Sequence, residues 1–138
     1  MLVVSDVYSD GTTYYDITLD DTGANFNTVS VIGKAVTLVD AGAIDLGAST
    51  VKETYAVTAT AGGSITNSGP LAITGAATFT AAGGQSITLD ESNTFSSTVA
   101  FSSSGGGDLA NVEVKDTTAF VLAETANLTL SGNLTVTT

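Results

Sequence analysis

The sequence predicts an all-β protein wound as a right-handed parallel β-helix, and three observations carry that reading. Short alternating runs rich in Val, Ile, Thr and aromatics fill the 138 residues, while no stretch places apolar residues at helical spacing. Apolar anchors at Ile65, Ile73, Phe79, Ile87 and Phe95 follow one another at steps of 8, 6, 8 and 8, so three steps, from Ile65 to Ile87, make one turn with three short strands and three corners. Long segments also recur. Ile17-Thr18-Leu19-Asp20, with Phe26 and Thr28-Val29, returns as Ile87-Thr88-Leu89-Asp90, with Phe95 and Thr98-Val99. Val36, Asp40, Ala43 and Leu46 return as Val112, Asp116, Ala119 and Leu122 at a slightly wider offset, and Val51, Tyr55, Val57 and Thr58 as Leu130, Leu134, Val136 and Thr137 at one wider still. Matches that survive insertions at glycine-rich points indicate a repeated structural unit with tolerant loops.

In chain order the pattern predicts strands over 15–19, 28–32, 35–39, 43–46, 54–60, 64–66, 71–74, 77–80, 86–89, 98–102, 111–115, 119–122, 127–130 and 133–137. Alternate side chains, such as Ile87 with Leu89 or Val112 with Val114, point inward. Corners fall at Gly33, Ala41-Gly42, Gly47, Ala61-Gly62-Gly63, Ser68-Gly69-Pro70, Gly75, Gly83-Gly84 and Gly105-Gly106-Gly107, where glycine permits positive φ. Pro70 stands at a corner entry and not inside a strand, where it would remove a ladder donor. Asp20, Asp40, Asp90 and Asp116 each follow a β run directly and read as turn formers. Residues 1–13 fit the repeat poorly and read as a cap, a junction or an added start. Residues 14–138 read as about 1.7 copies of a 70–79 residue unit that stops in mid-pattern, as a fragment of a longer array would. An Ig-like β-sandwich is the competing architecture; its modules are about 100 residues with longer strands, which this spacing does not match.

Charge narrows the functions. Fourteen acidic residues against three lysines, with no Arg and no His, give a net charge of −11, which repels nucleic-acid backbones and anionic lipid. No run approaches the ~20 apolar residues of a spanning helix. Met1-Leu2-Val3-Val4 is followed at once by Ser5 and Asp6, without the cationic and apolar regions of a signal peptide. Cysteine is absent, which excludes disulfides and thiolate metal sites.

The string from Ala61 to Ala81, AGGSITNSGPLAITGAATFTA, resembles the repeats of very large filamentous-haemagglutinin-like bacterial exoproteins, as do Gln85 to Val99 and Asn127 to Val136. The resemblance extends over most of the chain from Tyr15 onward and is compositional, without an invariant functional residue. It implies a right-handed parallel β-helical shaft, extracellular or at the bacterial cell surface, that supports adhesion, aggregation or biofilm contacts. The implied partners are neighbouring repeats, head-to-tail copies of the chain itself, or cell-surface glycans. No cofactor is implied.

Candidate sites compete with structural roles. Asp16, Asp20 and Asp21, or Asp90 and Glu91, could pair as glycosidase carboxylates, which need ~5 to 9.5 Å between them; the plainer reading is solvated turn carboxylates. Asp16, Asp20, Asp21 and Asn25, or Asp90, Glu91 and Asn93, could supply oxygens to Ca²⁺, which needs six to eight of them converging. Thr58 with Thr60, Thr78 with Thr80 and Thr135 with Thr137 raise an ice-binding face, although threonine also simply favours strands. Asn127-Leu128-Thr129 and Asn133-Leu134-Thr135 match the N-glycosylation pattern, which arises readily by chance in such a composition. Tyr14, Tyr15 and Tyr55 are the candidate platforms for sugars. The expectation is a non-enzymatic module with no catalytic, cofactor or metal residues, an extracellular filament subunit or a carbohydrate-binding β-helix being the alternatives.

Overall fold

The computed structural model describes residues 1–7, 10–124 and 128–138. Among them every regular element is a β-strand, and the strands stack as a parallel β-solenoid of about five turns. The chain opens with β1 (Leu2–Ser5), β2 (Ile17–Leu19) and β3 (Thr28–Gly33). Two coils of three short strands each follow: β4 (Val36–Asp40), β5 (Ile44–Leu46) and β6 (Ser49–Val51), then β7 (Tyr55–Ala59), β8 (Ile65–Asn67) and β9 (Leu71–Ile73). The next coil has β10 (Ala77–Ala82) and the long β11 (Ile87–Phe95); after it come β12 (Thr98–Ser104), β13 (Val112–Asp116), β14 (Val121–Leu122) and β15 (Leu134–Thr137).

Three ladders run along the stack. The first is the six-stranded sheet β2-β4-β7-β10-β12-β14. The second runs through β1, β3, β5, β8, β11, β13 and β15, and the third joins the ends of β3 and β11 through β6 and β9. The second and third count as one sheet because β3 and β11 pass unbroken around a corner. The anchors expected from the sequence fall as the cadence requires. Ile65, Ile73 and Phe79 lie on β8, β9 and β10, one per ladder, and Ile87 returns to stack on Ile65 while Phe95 stacks on Ile73.

Strict alternation explains the interior. In β4, β7 and β10 every second side chain points inward and is buried, the burial continuing without a break to the end of β10 at Ala81 and Ala82. Register then lines up like with like: Leu38, Val57, Phe79 and Phe101 form one inward column, and Ile44, Ile65, Ile87 and Val112 another. Phe79 sits at the hub, 5.9 Å from the Tyr55 ring and 6.1 Å from Phe95 in edge-on contacts, and 6.0 Å from Phe101 in a stacked one. Burying one such side chain is worth roughly 1.5–3 kcal/mol, and each added coil contributes several.

The structure departs from the sequence expectation in several ways. Residues 2–5 form β1, which pairs in parallel with β3 as part of the stack. β6 is an additional short strand, and β11 runs past the expected end at Leu89 as far as Phe95. The long echo also does not preserve faces: Ile17 on β2 pairs with Val36 in one sheet, while Ile87 on β11 pairs with Ile65 in the other. The strands stack with the period of the coil, which brings Val36 under Tyr55 and Ile65 under Ile87. Finally, several corner glycines are required by crowding and not by positive φ. Gly62 does adopt φ 83°, but a Cβ at Gly63 would meet the carbonyl of Gly42, and one at Gly75 the carbonyl of Glu53, both from the coil below.

Candidate functional site

An open depression lies where the N-terminal segment folds against the first coils. Asp10 builds the turn: its Oδ1 accepts from the amides of Thr12 at 2.8 Å and Thr13 at 2.9 Å, and its Oδ2 from the Thr13 hydroxyl at 2.8 Å. Those bonds, the two amides first, hold the Asp10 carboxyl down at about 2. Beyond the turn, Tyr14 bridges to Val7 in an antiparallel sense, and the chain rejoins the stack. There the Lys34 amide donates to the Tyr15 carbonyl at 2.7 Å and the Glu53 amide to the Lys34 carbonyl at 2.8 Å, so residues of successive coils lie one above another.

Side chains then converge. Lys34 Nζ stands 3.5 Å from Glu53 Oε1, and Lys52 Nζ sits 4.9 Å from the centre of the Tyr14 ring, a cation–π contact. Gly11, Thr12, Tyr14, Lys34, Lys52 and Glu53 line an open cleft of about 540 Å³. Two of the chain's three lysines are here; the third, Lys115, is on β13. The cleft therefore gathers two ammonium groups, an aromatic ring, the Glu53 carboxylate and a hydroxyl, with the Asp10 carboxylate on the Thr12 amide at its rim.

The acidic candidates are dispersed. Asp16 and Asp20 flank β2; Asp16 Oδ1 accepts the Ala35 amide at 3.3 Å, and Asp21 Oδ1 the Gly23 amide at 2.9 Å. Asn25 is exposed on the loop beyond. Asp90 and Glu91 protrude where β11 bulges relative to β13, whereas Asn93 two positions on is wholly buried. All of its side-chain bonds are internal: Oδ1 accepts from Asn67 Nδ2 and the Leu71 amide, and Nδ2 donates to the carbonyls of Leu89 and Lys115. The structure thus separates Asn93 from Asp90 and Glu91. Among the described residues no three His, Cys, Asp or Glu side chains gather as a metal site.

Of the four expected turn aspartates, Asp40 and Asp116 are buried and repeat one motif. Each carboxylate accepts the amide two positions ahead, Gly42 or Thr118, and an amide from the preceding coil, Phe26 or Phe95. Asp20 and Asp90 are exposed.

Tyr55, expected as an exposed sugar platform, is 1% exposed because its register on β7 points inward against Phe79. Tyr14 lines the cleft and Tyr15 is 45% exposed. The threonine pairs divide between sheets: Thr58 and Thr78 to Thr80 lie in the six-stranded sheet, while Thr135 and Thr137 lie on β15 in the other. Asn133 is exposed; Asn127 lies outside the described residues, as does Tyr8. Sequence reading passes over Lys34, Lys52 and Glu53 as site residues. The signal that could have found them is the even spacing of Tyr15, Lys34 and Glu53, which equals the coil that links Val36 to Tyr55.

Comparison with known proteins gives one family. The model of a family described as repeats of unknown function matches residues 33–102, from the end of β3 into β12. No curated protein and no solved structure matches the chain.

Proposed function

This chain belongs to the DUF5649 family of repeats of unknown function, and we propose that it serves as a non-enzymatic shaft segment of a large adhesin-like protein, secreted or held at a bacterial cell surface. The observation that carries this reading is the unbroken inward register. Val36, Tyr55, Ala77 and Val99 stack coil upon coil, as do Leu38, Val57, Phe79 and Phe101. Stability in such a stack grows by repetition, and so does length, at ~4.8 Å per coil. A rod of this kind spaces binding groups away from a surface. The compositional likeness to filamentous-haemagglutinin-like repeats supports the adhesin-like setting.

Electron microscopy of the parent protein tests the shaft, and antibody labelling of intact cells tests the location. The expected result is a rod whose length follows the number of coils, with label on the outside. A compact particle, or label appearing only after lysis, overturns the reading.

A further inference from the structure

We draw no further inference here: the strongest candidate, the outward face of the six-stranded sheet, where Thr37, Ala56, Thr78 and Ala100 stand in one column beside Thr58 and Thr80, is a run of small residues, and nothing in the structure shows what covers it.

Discussion

The side-chain amide of Asn67 donates to Oδ1 of Asn93, one coil further along, at 2.8 Å and out of reach of water. That bond ties two successive corners of the solenoid. Asn67 Nδ2 also donates to the Gly69 carbonyl at 3.1 Å, and Asn93 serves the Leu71 amide at 3.0 Å and the carbonyls of Leu89 and Lys115. A corner interrupts the ladder, so its amides and carbonyls need partners, and Asn93 supplies four bonds from one side chain. Asn93→Ala strips all four in a buried setting and should cost at least about 3 kcal/mol. Urea unfolding measures it. A loss under about 1 kcal/mol would mean that solvent replaces the side chain there.

Gly75 lies against the carbonyl of Glu53 in the coil below, leaving no space for a Cβ. Gly75→Ala should destabilise by about 1–3 kcal/mol through overpacking, although alanine normally favours order over glycine. Gly84, with φ 78° and nothing near its Cβ position, is the contrast: Gly84→Ala suffers from backbone strain alone. Asparagine tolerates positive φ better than alanine. Thermal melts should therefore show Gly84→Asn less damaging than Gly84→Ala, and Gly75→Asn at least as damaging as Gly75→Ala. The same ranking at both positions would remove the distinction between strain and crowding.

Burial pushes the Tyr55 phenol well above its ordinary value of 10.0, partly offset by the Ser49 side chain. A raised value means the native state holds its proton while the unfolded chain releases it. This contribution to stability is complete below the ordinary value and fades as pH rises above it toward the native one. The phenolate absorbance that Tyr55→Phe removes should therefore emerge only as the protein unfolds in alkali. Because the Tyr55 hydroxyl makes no hydrogen bond of good geometry, the same variant should keep neutral-pH stability within about 1 kcal/mol of the parent.

Asp10 provides the acid-side counterpart. Its carboxyl falls from 3.8 to about 2, held by the amides of Thr12 and Thr13. The turn is fully supported above the higher value and loses that support as pH falls through about 2. NMR titration should place the Asp10 carboxyl inflection near the lower value. Thr13→Val removes the hydroxyl bond and should move the inflection upward, and an unmoved inflection would show that the amides alone set it.

Much of the coil is legible in the sequence. Ile65, Ile73 and Phe79 announce three faces because only the return to Ile87 lets each apolar side chain find its like in the next coil. The site is not legible in the same way. Tyr14, Lys34 and Lys52 are far apart in sequence and meet only through the register of the first coils, which are shorter than the later ones: Val36 finds Tyr55 in fewer positions than Tyr55 needs to find Ala77. The echo of Asp40 in Asp116 misleads as to face but not as to chemistry, since both carboxylates cap a corner in the same manner on different sheets.

The sequence by itself determined the strand class, the three-faced coil from Ile65 to Ile87 and the inward pairs Ile87 with Leu89 and Val112 with Val114, because alternation and period are local properties that each strand carries alone. Only the tertiary structure decided which sheet each strand joined, that Tyr55 and Asn93 face inward, and that two lysines share a cleft. Those outcomes depend on register between coils, and register is fixed by the summed fit of every neighbouring turn.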